Sequence, residues 1–204
     1  MTVGVRRLRF RMAMALVALA LVVGLGVACG GEEEADSSSP PAESATAEPQ
    51  RSLVLDGLVE FPLDLTFDDL RRMEKTTQYV ELYCVDYPTV PVEKGDWTGV
   101  RLGLLLEQAG VSPEAVKVAF YDDYGYSTDL TVATAMREDV ILAYERDGVP
   151  LDERLRLVVP GKWGYKWISG VTHIEVVDYD FTGVWENRGY SDEADITAEP
   201  SSPE

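Results

Sequence analysis

Cys84 and a glycine-lysine segment are the parts of this chain whose residue types most suggest chemistry. Cys84 stands in VELYCVDYP and is one of two cysteines, the other being Cys29. A thiolate is a strong, soft donor, suited to holding a transition metal or attacking an electrophile. A free cysteine also packs well as a small hydrophobe, so an inert buried thiol is the alternative. The second segment is PGKWGYKW, residues 160–167. Gly161 and Gly164 let the backbone approach a ligand, while Lys162 and Lys166 bring positive charge into an acidic protein, a combination that suits an anion. An aromatic-rich turn between two strands accounts for the same composition without a ligand.

Other chemistries find little support. The single histidine, His173, lies in THIEVV, where alternation places it opposite Ile174, so a multi-histidine zinc or iron site is excluded. No local nucleophile motif supports a Cys84–His173 pair. The acid pairs Asp122-Asp123 and Glu138-Asp139 read as solvated turns. Neither a Rossmann glycine pattern nor a phosphate-binding P-loop is present.

The N-terminus sets the compartment. Residues 1–28 begin with Arg6, Arg7, Arg9 and Arg11, continue through an apolar run and end in small residues before Cys29, the order of an export signal. Its apolar run falls short of the roughly 20 residues of a membrane-spanning helix. Ala28-Cys29 resembles a lipoprotein cleavage site, implying lipid on Cys29, with a cleaved unlipidated signal or an uncleaved anchor as alternatives. Gly26 departs from the leucine usual there, and RRLRF gives a weak twin-arginine signal, leaving the export route open. Residues 29–50, rich in Glu, Ser, Ala and Pro, are expected to be a disordered tether, and residues 191–204 a disordered tail. Removing residues 1–28 removes four arginines and no acid, taking the formal charge from −18 to −22. Such a surface repels nucleic acid and anionic lipid headgroups, and suits solubility or a cationic partner.

Residues 51–190 are enough for one domain. SLVLDGLVEFPLDL predicts paired strands around an Asp56-Gly57 turn. Thr66 predicts a helix cap ahead of LRRM, and residues 79–85 a strand with Cys84 near its end. LGLLLEQAG predicts a buried helix stopped at Gly110. VKVAFYD reads as a strand, and Thr131 caps a short helix. VILAYERDGVPL is a strand followed by a turn, and RLRLVVP and THIEVVDYDF are the last strands. The class is α+β, with a mixed β-sheet core and a few short helices.

The order of the segments W-x-G-V-x-L-x-x-L-L, L-A-Y-E-x-x-G-x-x-L and R-L-V-V-P-G-x-x-G-x-K resembles the molybdopterin-binding domain of the sulfite oxidase family, especially its small exported bacterial members. The resemblance covers roughly residues 53–190. It implies a molybdopterin (Mo) cofactor and a sulfur-rich metal site in which the cysteine between the first strands and the W-x-G-V helix, Cys84, is the metal ligand. It further implies that Lys162, Gly164, Tyr165 and Lys166 hold the pterin's phosphate, that Asp96 and Trp97 shape the fold beside the metal, and that Tyr126 and Tyr165 line the substrate cavity.

The expected activity is oxygen-atom or electron transfer on a small-molecule substrate, with a redox partner protein, at an extracytoplasmic membrane surface. A non-catalytic descendant serving as a binding module is the alternative. Two features depart from the family. The region upstream of the first strand lacks the residues that grip the pterin in larger enzymes, and VDYPTVPVEKGD after Cys84 holds no arginine, which disfavours anionic sulfite.

Overall fold

The computed structural model describes residues 51–196, with side chains from Leu53 onward. The signal segment, Cys29, the tether and the last part of the tail lie outside the described residues. Along the chain run β1 (Arg51–Gly57), β2 (Leu63–Thr66), α1 (Phe67–Arg72), β3 (Lys75–Leu82), β4 (Glu93–Arg101), α2 (Leu102–Ala109), β5 (Lys117–Tyr121), β6 (Ser127–Thr131), α3 (Val132–Ala135), β7 (Ile141–Arg146), β8 (Val149–Pro150), β9 (Arg156–Val158) and β10 (His173–Val177). The strands form two five-stranded sheets.

The first sheet has the order β2-β1-β10-β5-β6. Its parallel pair, β1 with β10, joins the first and last strands, setting Leu55 beside Ile174; the other pairs are antiparallel. The Asp56-Gly57 signal marks something other than the expected turn. Gly57 belongs to β1 at φ +87°, and a Cβ there would lie 2.2 Å from the Val176 carbonyl oxygen, so glycine is required by the close approach of β10. The chain turns back only through residues 58–62 before β2 pairs Leu63 with Leu55.

The second sheet runs β3-β4-β7-β8, with β9 also on β7. WTGV, expected to lead a helix, is strand: Trp97–Val100 lies inside β4, and helix begins at Leu102. Gly99 permits this, since a Cβ would sit 2.0 Å from the Leu142 carbonyl oxygen on β7. α2 then buries Leu102, Leu105, Leu106 and Ala109 and ends at Gly110 with φ +68°. Thr66 caps α1 reciprocally: its hydroxyl accepts from the Asp69 N–H at 3.2 Å, and the Asp69 carboxylate accepts from the Thr66 N–H at 2.9 Å.

One buried region is ionic. The Lys117 ammonium, on β5, donates to Asp129 at 2.7 Å and Asp192 at 2.6 Å and pairs with Asp180 at 3.1 Å. The Lys166 ammonium meets Glu186 at 2.6 Å, Asp129 at 3.1 Å and Asp192 at 3.2 Å. Residues 191–196, expected to begin a disordered tail, are therefore part of the fold. Asp192 joins both lysines, Ala194 is buried, and its carbonyl accepts from the Trp163 N–H at 2.8 Å.

Lys166→Met leaves buried Glu186 without an ammonium partner and buried Asp129 with Lys117 alone, a loss on the order of 3–5 kcal/mol. A drop in Tm of roughly 10 °C is expected in a thermal melt of the purified protein. For Asp192, burial pushes the carboxyl up, but the hydrogen bond from Lys117 and the charge of Lys166 hold it below the usual carboxylate value. A depressed folded pKa means stability present in full above the unfolded value of about 3.9 and lost as pH falls through the folded one. Asp192→Asn should lower Tm at pH 7 by less than Lys166→Met does, and the gap to wild type should shrink below about pH 4.

Candidate active site

β3 ends at Leu82, and the next two residues carry the chain past the PGKWGYKW loop. The Gly164 N–H donates to the Tyr83 carbonyl at 2.8 Å, and a Cβ on Gly164 would lie 3.0 Å from both that oxygen and a Leu82 methyl. Glycine at this position thus lets loop and strand touch immediately beside Cys84. The chain then turns tightly, with the Tyr87 N–H donating to the Cys84 carbonyl at 3.0 Å, and returns as β4. Cys84 is half-buried and is the free thiol among the described residues; its Sγ lies 4.0 Å from an Asp86 carboxylate oxygen.

The thiol borders a cavity of about 490 Å³. Tyr126, Tyr165, Trp167, Trp185 and Tyr190 form its aromatic wall, and Leu82, Val85, Val92 and Ile168 add aliphatic surface. Tyr190 packs edge-on against Tyr165 and Trp185 at 5.6 and 5.2 Å between ring centres. Buried Trp97 meets Trp167 edge-on at 6.0 Å, so β4 supports the wall from behind.

The phenols are held neutral. The Tyr126 hydroxyl donates to the Tyr165 carbonyl at 2.5 Å, and the Tyr165 hydroxyl to the Ser191 carbonyl at 2.6 Å. Burial, then the negative charge of Glu186, pushes both well above the ordinary tyrosine value. Arg156 is the cation on the wall. Its Nε and Nη2 face Glu153 at 3.0 and 2.9 Å, and its Nη1 faces Glu93 at 3.5 Å.

The structure brings Cys84, Gly164, Tyr165 and Tyr126 together around this cavity. Lys162 and Lys166 are not on its wall, and their expected pairing with a phosphate meets carboxylates already in place. Lys166 is sealed inside the ionic cluster, while Lys162 donates to the Glu193 carbonyl at 2.6 Å and pairs with Asp195 at 3.0 Å. Asp96 is exposed, and its backbone N–H bonds the Asp147 carboxylate at 2.9 Å. His173 stacks on Tyr121 and meets Asp56 at 2.8 Å, outside the cavity lining. Composition pointed to none of Arg156, Ser169, Trp185 or Tyr190 as site residues. The donor set suits the metal end of a sulfur-bound cofactor: a soft thiol on a largely apolar, aromatic cavity of ligand size.

Residues 41–185 match the family described as the oxidoreductase molybdopterin binding domain. Over 140 residues the chain is 30% identical to the uncharacterized oxidoreductase YuiH of Bacillus subtilis, covering 66% of this chain and 69% of that protein. It is 27% identical over 157 residues to the mitochondrial sulfite oxidase of Drosophila melanogaster, covering 69% of this chain but 27% of that enzyme. Among solved structures it is similar to the sulfane dehydrogenase SoxCD from Paracoccus pantotrophus, with a TM-score of 0.58 and 29% identity over 64% of this chain and 39% of that one. The chain thus spans well under half the length of the last two proteins. With its α+β sheets, its thiol-bordered cavity and the extent of these matches, the chain belongs to the oxidoreductase molybdopterin-binding domain family of sulfite oxidase type, and molybdopterin is its cofactor.

Proposed function

We propose that this protein is an extracytoplasmic oxidoreductase in which the Cys84 thiolate holds the molybdenum and Cys29 carries the lipid that anchors it to a membrane. The observation that carries the reading is the place of Cys84: a free thiol on the wall of the aromatic cavity, fixed by the contact between Tyr83 and Gly164. When bound, the cofactor supplies the oxygen-atom or electron transfer. The chain's own groups position and enclose. Gly164 and Tyr165 bring backbone close to the thiol, Leu82 and Trp167 exclude water, and the neutral phenols keep their protons, donating hydrogen bonds to backbone carbonyls.

A small-molecule substrate and a redox partner protein fit this reading, and the formal charge of −18 disfavours nucleic acid. The location rests on the sequence: an arginine-rich start, an apolar run and a small-residue site before Cys29. Among the described residues no helix is long and apolar enough to cross a membrane.

Protein purified from its native host is expected to hold molybdenum near one atom per chain by mass spectrometry. Cys84→Ser should lose it while the metal-free Tm stays within about 2 °C of wild type, because a half-buried Cys-to-Ser change alters packing little. Retention of the metal by the variant would remove Cys84 as ligand. Cys29→Ser should move the protein from the membrane pellet to the soluble fraction, since the acyl chains provide the anchoring; unchanged sedimentation would rule out the lipid anchor.

A further inference from the structure

The donors on the cavity wall are largely committed. The hydroxyls of Tyr126 and Tyr165 donate to backbone carbonyls, the Trp167 indole N–H donates to the Lys162 carbonyl at 3.2 Å, and the Ser169 hydroxyl faces Glu153 at 3.5 Å. Arg156 is flanked by Glu153 and Glu93. Among the described residues, the Trp185 indole N–H and the Tyr190 hydroxyl are left as side-chain donors without a hydrogen-bond acceptor. Against them stand Asp86 and Asp122 on the same wall. Asp122 accepts the backbone N–H groups of Tyr124 and Tyr126 at 2.9 and 2.8 Å through a single oxygen.

A neighbouring cavity of about 470 Å³ shares Asp122 and Ser169 with the first and adds Asp123, Asp152 and Glu153, with Arg154 among them. The approach from that side is acidic too. An inorganic oxyanion leaving water needs positive charge and several donors to replace its hydration. This wall offers a neutralised arginine and an excess of carboxylate. It also offers aromatic faces, whose quadrupoles attract cations. Trp185 already shows that preference: the Arg188 guanidinium lies over its ring at 4.8 Å from the centroid.

We propose that the cavity beside Cys84 selects organic molecules with a cationic head, such as a quaternary ammonium, and rejects inorganic oxyanions. The inference rests on the reading of this cavity as the reaction site and narrows its substrate class. Aromatic faces take the positive part of the head and Asp122 supplies the counter-charge. The aliphatic surface of Leu82, Val85 and Val92 accepts the rest of the molecule.

Binding to the metal-free full-length protein tests this by tryptophan fluorescence, with benzyltrimethylammonium, benzyl alcohol and phenylmethanesulfonate as probes of similar size and different charge. The cation should bind at least about tenfold tighter than the sulfonate, with the alcohol between them. Trp185→Leu should weaken the cation about fivefold, the scale of one cation–π contact. Asp122→Asn, which retains the oxygen bonding the backbone, should weaken the cation about threefold and leave the alcohol unchanged.

Sulfonate binding as tight as the cation's, or a cation preference indifferent to both substitutions, overturns the proposal. The same series on Cys84→Ser separates the two readings. Selectivity that persists in a variant that holds no molybdenum confirms that the wall, not the metal ligand, sets the preference. Selectivity that stands while wild type also holds no molybdenum leaves the binding class intact and defeats only the assignment of the cavity as reaction site.

Discussion

Two ammonium groups in the protein interior decide where the chain's C-terminal part can go. Lys117 and Lys166 are nearly fully buried, and a buried cation without partners is strongly unfavourable. Their partners come from β6 as Asp129, from the turn at Glu186, and from Asp180 and Asp192 beyond the last strand. Satisfying the lysines therefore pulls in the segments that carry Trp185, Tyr190 and Ser191. Trp185 and Tyr190 complete the cavity wall, and the Ser191 carbonyl accepts the hydrogen bond of the Tyr165 hydroxyl. The site's shape is a consequence of charge neutralisation some distance behind it.

The neutralisation is lopsided. Asp129, Asp180, Glu186 and Asp192 surround two lysines, so the cluster carries more acceptors than its ammonium protons can serve. One carboxylate oxygen of Glu186 is buried without a hydrogen-bond partner. A Cβ on Gly183 would come within 2.7 Å of that oxygen, so glycine leaves the carboxylate its room. The negative surplus reaches the cavity through space, where Glu186 helps to hold the phenols of Tyr126 and Tyr165 in their neutral form. Network and wall thus share one electrostatic character.

Much of the fold was legible because the signals were local. Thr66 with Asp69, the leucine spacing before Gly110, and the alternation in VKVAFYD each state their own structure within a few residues. The errors came where a local signal had a distant cause. Asp56-Gly57 looks like a turn, yet its glycine answers to Val176, and Gly99 in WTGV answers to Leu142. Neither partner can be found by reading neighbours.

The lysines repeat that lesson at the site. Lys162 and Lys166 carry charge beside glycines, which suits an anion on composition, but composition does not say which side of a loop a side chain takes. The loop's geometry decides it: Gly164 is pressed against Tyr83, which aligns Gly164 and Tyr165 with the thiol, while Lys166 is buried among the acids behind them.

This division of labour separates holding the fold from meeting a ligand. The positive charge of PGKWGYKW is consumed internally, and what the segment presents to the cavity is backbone, a neutral phenol and the Trp167 ring. Arg156 follows the same rule, reaching the wall already flanked by Glu153 and Glu93. In so acidic a chain, Lys117, Lys162, Lys166 and Arg156 each find carboxylates of their own. The cavity inherits the remainder, which is aromatic surface with carboxylates near it. A ligand that brings its own positive charge meets complementary walls there, and one that brings negative charge must compete with acids that arrived first.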